Sequence, residues 1–354
     1  MRRLLPLLPL LLLAASCSSK SADNPVSPPV NDARGRAVGA DHVFAHASQL
    51  VWSAVTDEVI GVSSATPAAG SGLVALRVGD GTARVLDPAT PLQLALSPDG
   101  ATVYYVVDLP PADGDSVVLR RRPISGGAPE QLGAAPDGTP ITFVLALDGD
   151  WLAWARAGAD PLDPGPLVLR HLSTGDTLEV GVGSPEAIAP DGSQVLYRSG
   201  SALRLWVRAT RSESDVVLGI PVGTGPPAWR WDANGLRALL VDVNRQVKLF
   251  NYPLGTITTV YTSPLDLDGS PAIWSPDGLA GAVWASKPAT SGTYTNHVLE
   301  VFDIGAKVGV PVASGIEEHG AATFSSDDSR IAQLFGERLY VANAATTGIP
   351  GPAR

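Results

Sequence analysis

Short apolar runs recur along the chain from about residue 50 to residue 343, and turns rich in Gly, Pro and Asp separate them. Within several runs apolar and polar positions alternate, as in Leu167-Val-Leu-Arg-His-Leu172 and Val298-Leu-Glu-Val-Phe302. A period of two is the signature of a strand with one buried face. No run of helical period extends beyond a turn or two. With 37 Gly and 31 Pro in 354 residues, the chain favours turns over helices throughout.

The runs are ordered by a repeat. The clearest copies are Leu96-Ser-Pro-Asp99-Gly100, Ile188-Ala-Pro-Asp191-Gly192 and Trp274-Ser-Pro-Asp277-Gly278. Weaker copies centre on Asp148, Asn234 and Asp327, and a degenerate one on Asp57. These seven anchors lie 42, 49, 43, 43, 43 and 50 residues apart, with insertions in the longer gaps. An apolar residue stands three places before each anchor, and an apolar strand follows it. In Pro-Asp-Gly, proline presets φ, aspartate accepts backbone N–H groups two residues on, and glycine takes positive φ. The seven anchors therefore read as strand-to-strand turns. Four strands per repeat make one blade of a β-propeller, so the chain predicts an all-β, seven-bladed propeller. Six blades with an irregular first segment is the alternative, because the copy at Asp57 is the poorest. The last repeat lacks a fourth strand, and residues 37–44 are the expected donor that closes the ring and removes an exposed edge.

The apolar-Ser-Pro-Asp-Gly repeat resembles that of TolB-like propellers, which are related to the tryptophan-aspartate repeat propellers. The resemblance covers residues 42–343 and implies a fold more than a function. It departs from TolB itself in having no α/β domain before the propeller.

The N-terminus carries a second pattern. Arg2 and Arg3 precede a leucine-rich run from Leu4 to Leu13, and small residues then lead into Cys17, the chain's one cysteine. The apolar run is too short to span a bilayer and has the layout of an export signal. Ala14-Ala15-Ser16-Cys17 resembles the lipobox of bacterial lipoproteins, which implies cleavage before Cys17 and lipidation of its thiol, palmitate included. Ordinary signal cleavage, with Cys17 a bystander, is the other reading. Residues 17–36 are polar and proline-bearing, and they read as a flexible tether. The expected organisation is a signal peptide over 1–16, the tether, the propeller over 37–344 and a disordered tail over 345–354. Ser18 after the cysteine favours the outer membrane, by resemblance to the enterobacterial sorting pattern.

The chain carries a net charge of −10 and has no basic cluster able to track a phosphate backbone, which disfavours nucleic acid as a partner. The expected partners are the membrane, through the lipid anchor, and an unidentified envelope protein. His42 and His46 lie four apart in a region that reads as strand, so no metal is expected there. No nucleophile elbow, zinc motif or phosphate loop occurs, and no cofactor is implied. The loops that enter the innermost strands gather at one mouth of a propeller channel. There the sequence offers Glu317, Glu318 and His319 as candidate ligand-binding residues, with Glu186, Trp229, Asp137 and Asp268 further round the ring. Trp206 and Trp229 are the candidates for ligand stacking, while His171 and His297 read as ordinary edge residues. These features favour a non-catalytic binding or scaffold module. The alternatives are a lyase- or lactonase-like enzyme at the mouth, a binder of small ligands or glycans, and a TolB-like partner of peptidoglycan-associated lipoproteins.

Overall fold

The computed structural model describes residues 35–344, apart from 41–42, 45–46, 48, 54, 67–69, 110–114, 158–163, 219–225, 243, 289–294, 316–317 and 337. Cys17, the tether up to residue 34, His42, His46 and Glu317 lie outside the described residues, and Arg36, expected in the tether, belongs to the strand of blade 7.

Seven antiparallel sheets follow one another along the chain, and each repeat supplies one. Blade 1 contains Leu50–Ser53, Glu58–Thr66, Gly70–Arg77 and Ala83–Asp87, so the degenerate first copy is a full blade. Seven hydrophobic clusters fill the seams. The first joins Leu50, Trp52 and Leu76 of blade 1 to Leu334 and Leu339 of blade 7. The last joins Trp284 and Leu299 of blade 6 to Ile331 and Phe335 of blade 7. Each blade buries both faces, which is why its second strand reads as a continuous apolar run.

Blade 7 is closed as the pattern predicts, with a shorter strand. Its sheet order places Arg36–Val38 beside Arg338–Asn343, then Arg330–Phe335 and His319–Phe324. Only Arg36, Ala37 and Val38 pair, with Val341, Tyr340 and Leu339. Val43 and Phe44 leave the sheet and are buried in the seam between blades 7 and 1. There the apolar pair contributes by packing, with Trp52, Leu50 and Leu334 in the same cluster.

The repeated turns sit on one face of the disc, between first and second strands. Asp99, Asp148, Asp191, Asp277 and Asp327 each accept the backbone N–H two residues on, at 2.9–3.2 Å. Ser97, Ser275 and Ser325 donate their hydroxyls to the same aspartates. These bonds hold the Asp99 and Asp327 carboxyls below the usual aspartate range. Two anchors work differently. In blade 5 the acceptor is Asp232, which takes the Asn234 N–H at 2.8 Å, because the hairpin there is two residues tighter. In blade 1 Asp57 itself has φ of 51° and holds Arg330 of blade 7 at 2.8 Å. Glycine is obligatory at Gly192, where φ is 64° and an added Cβ would lie 2.3 Å from the Trp151 ring.

A buried acid ties blades 5 and 6. Tyr261 donates its hydroxyl to Glu300 at 3.0 Å, and Glu300 is 1% exposed. Burial pushes the Glu300 carboxyl up, and hydrogen bonds from Ser263 and Tyr261 only partly offset it. For an acid with a raised folded pKa, the native state holds more protons than the unfolded chain, so stability falls as pH rises through that window. Glu300→Gln keeps the acceptor and removes the charge. We expect thermal melts at pH 8 to place Glu300→Gln above the parent, with the gap closing near pH 4.

Candidate functional site

The second face of the disc is where first strands begin and second strands end, and blade 6 is irregular there. Its innermost strand is split into Asp266–Leu267 and Ile273–Trp274, both paired to Ala280–Pro288. The intervening Asp268-Gly-Ser-Pro271 explains the break. Asp268 accepts the Ser270 N–H at 2.8 Å, Gly269 takes φ of 82°, and Pro271 has no N–H for the ladder. The resulting bulge presents the second Asp268 oxygen to blade 7.

His319 opens the innermost strand of blade 7, paired with Phe335. Its Nε2 lies 2.5 Å from Asp268 Oδ2, and the two side chains are 17% and 16% exposed. The imidazole stacks on Trp284 at 4.4 Å and 19°. The His297 ring meets it edge-on at 4.8 Å. Trp284 and His297 come from the second and third strands of blade 6, whose ends reach the same face.

The protonation pattern follows from these contacts. Burial raises the Asp268 pKa, but the His319 hydrogen bond and the Ser270 amide outweigh it and leave the carboxyl below its usual value. Asp268 is therefore an anion at neutral pH. An anionic carboxylate only accepts, so His319 Nε2 carries a hydrogen, and Nδ1 is the ring nitrogen that the contact leaves over. That Nδ1 is buried without a protein partner, as is His297 Nδ1. Burial, then the charge of His319, lowers the His297 pKa, so His297 is neutral at neutral pH.

His319 lines a cavity of about 460 Å³ at the channel mouth. The cavity runs from Ser270, Ile273 and Trp284 of blade 6 past Ala321 to Gln49 on the approach to blade 1, and reaches Leu94 of blade 2. Gln49 is fixed by accepting the Leu94 N–H at 2.8 Å. This volume lies in the range that small ligands occupy.

Of the residues the sequence offers, Asp268 and His319 meet across a blade boundary. Glu318 is exposed beside them, and its carbonyl accepts the Gly336 N–H. Glu186 is elsewhere, in blade 4, where it pairs with Arg198 at 2.8 Å beside a separate cavity of about 770 Å³. Among its described lining residues the charged groups are paired or exposed, and none carries an orphan nitrogen. Asp137 accepts the Ser116 hydroxyl at 3.0 Å. Trp229 packs edge-on against Phe250 in the seam between blades 4 and 5. Trp206 is 2% exposed and forms part of the seam between blades 3 and 4, so it has no open face for stacking. Trp284, His297 and Gln49 escape the sequence reading. Their one signal is parity: each stands at a strand end that must reach the mouth.

No protein-family model matches the chain. No curated protein matches it either. Solved structures do. An oligogalacturonate lyase in complex with manganese aligns at a TM-score of 0.62 and 15% identity, over 85% of this chain and 89% of its own. The oligogalacturonate lyase of Vibrio parahaemolyticus aligns at 0.64 and 13% identity, over 86% and 90%. TolB from Acinetobacter baumannii aligns at 0.46 and 14% identity, over 83% and 78%. The shared feature is the propeller. It corrects the expectation of a non-catalytic protein: the structural neighbours include lyases, so this architecture is one on which enzymes are built, and a His–Asp pair assembles at the mouth. Sequence spacing hides such a pair because its members belong to different blades.

Among the described residues no group of three or more His, Cys, Asp and Glu could hold a metal ion. The nearest approach to one is Asp268 with His297 and His319, where His319 Nε2 already engages the carboxylate. These residues do not fit a manganese ion as they stand.

Proposed function

We propose that this chain is a lipid-anchored envelope protein whose propeller binds a small molecule at the channel mouth and exchanges a proton with it through His319. The observation that carries the reading is the His319–Asp268 contact beside the cavity. Asp268 fixes the tautomer, which leaves Nδ1 as the base, and Trp284 holds the ring by stacking. A buried imidazole nitrogen without a partner is costly, and a ligand or a water at the mouth would repay it. Lyase-like and lactonase-like chemistry both need such a base.

The anchor rests on the sequence of residues 1–17, and the topology bears only on which face such an anchor would hold. First strands begin at the mouth, so the fourth strand of blade 7 ends there and Arg36 lies toward the opposite face. Arg36 donates to the Val78 carbonyl at 2.7 Å, at the turn between the outer strands of blade 1. The tether thus joins the disc away from the mouth, and as a coil of about 20 residues it reaches on the order of 25 Å. The mouth would face away from the membrane.

Each half of the reading has its own test. Cys17→Ser should abolish metabolic labelling with palmitate and release the protein from membranes, and persistent labelling would refute the anchor. For the mouth, histidine ring ¹⁵N spectra should show a hydrogen-bonded Nε2–H on His319 that Asp268→Asn removes. A His319 signal indifferent to Asp268→Asn would refute the pair.

A further inference from the structure

The outer strand of each blade ends its sheet and leaves one ladder edge open, and such an edge pairs with other chains unless something blunts it. Six of the seven blades carry a blunting device. In blades 1 to 4 the outer strands are Ala83–Asp87, Glu130–Pro136, Thr177–Val182 and Ser212–Asp215, and they hold Arg84, Glu130, Glu179 and Glu213. Val308–Gly315 of blade 6 has Pro311 in mid-strand, and Arg36–Val38 of blade 7 is three residues long. The outer strand of blade 5 has none of these. It reads Thr256-Ile-Thr-Thr-Val-Tyr-Thr262, with no charge, proline or glycine and with high strand propensity throughout.

This edge is also held rigid. Its residues pair with Gln246–Asn251, and the register slips between Thr259 and Tyr261, so the flat part is Thr256–Thr259. Ile257 packs into the seam between blades 4 and 5, while Val260 and Tyr261 are buried in the next seam. Thr256 and Thr258 are exposed, and so is Leu254 in the hairpin that leads into the strand, at 77%. The charges alongside are already paired, Lys248 with Asp242 and Arg245 with Asp266.

We infer that the blade 5 edge is where this chain pairs with a second copy of itself, strand against antiparallel strand about a two-fold axis. The two-fold sets Thr256–Thr259 against the same four residues, so threonine and isoleucine meet and no like charges are opposed. The same operation on blade 3 or blade 4 would bring Glu179 or Glu213 toward its own copy, and on blade 6 it would place Pro311 where a backbone donor is needed. An unrelated extended peptide is recognised through side-chain pockets or charge, and the short hydroxyls of Thr256 and Thr258 supply neither. A contact of this size belongs with the weak, reversible interfaces.

Sedimentation of the full mature protein in one detergent tests this on the parent, Thr258→Lys and Thr258→Val. The expected result is a dimer in the parent and in Thr258→Val, with a dissociation constant that Thr258→Lys raises by about tenfold or more. Thermal melts establish that each variant folds, and Thr256→Lys takes the place of Thr258→Lys should the latter not fold. Amide exchange at Thr256–Thr259 should slow as the parent is concentrated and stay unchanged in the lysine variant. A monomer at every concentration up to about 1 mM would overturn the proposal. A dimer indifferent to the folded lysine variant would overturn it as well, because the copies would then meet elsewhere.

Discussion

Removing residues 36–38, with everything before them, should lower the melting temperature by about 10 °C or more, on the scale of a few degrees per kcal/mol for a large domain. The loss has three parts. The ladder from Arg36, Ala37 and Val38 to Val341, Tyr340 and Leu339 disappears. The outer edge of Arg338–Asn343 becomes unpaired and open to other chains. Val38 leaves the seam that it fills with Leu76 and Leu339. Phe44→Ala isolates the packing part without touching the ladder, and should cost about 3–5 kcal/mol. Calorimetry on both variants checks the account, and an unchanged melting temperature in the truncation would refute closure of the ring by this strand.

His319→Asn should reduce turnover of the mouth's substrate by about 10²–10⁴-fold, the usual contribution of a positioned acid or base. The apparent KM should change little, because asparagine keeps a polar group at the cavity wall. Asp268→Asn should cost less in turnover. It leaves the imidazole in place against Trp284 but no longer fixes which nitrogen carries the hydrogen. Below the folded Asp268 pKa, which is depressed, the parent should lose both the tautomer control and the stability that the Asp268–His319 contact contributes. That loss falls on the acid side of the usual aspartate range, and Asp268→Asn should flatten it. Steady-state kinetics across pH on the three proteins separate these effects. Equal loss of turnover and of folded protein in His319→Asn would assign the histidine a structural role only.

The propeller was legible in the sequence because each blade repeats one solution to one local problem. The hairpin between the first two strands needs a fixed φ, a side-chain acceptor and a positive φ, so Asp99, Asp191 and Asp277 recur with Pro and Gly around them. Departures appear where another residue meets the same need, as Asp232 does for the turn at Asn234. The mouth was legible only as a set of places. Asp268 and His319 could each be assigned to it from the repeat, but their contact depends on a local bulge. That bulge needs the Asp-Gly-Ser-Pro break in blade 6 and the irregular pairing between His319 and Ala322. His297 read as an edge histidine because a strand pattern gives the face a residue occupies, not what the next blade places against it. Trp206 shows the converse, an aromatic whose alternation suits either a surface or a seam and which the neighbouring blade buries.

The central claim is that the chemistry of this chain sits at the mouth beside His319, and hydrogen exchange tests it most directly. The probe is the lactam of a neutral sugar, an uncharged small molecule that carries a carbonyl and resists hydrolysis. The account predicts slowed exchange in 266–273, 284–286, 297–299 and 319–322 when the lactam is added, with the turns at Asp99, Asp191 and Asp277 unchanged. Protection confined to those turns or to the outer strands, or none at the mouth at saturating lactam, would contradict it.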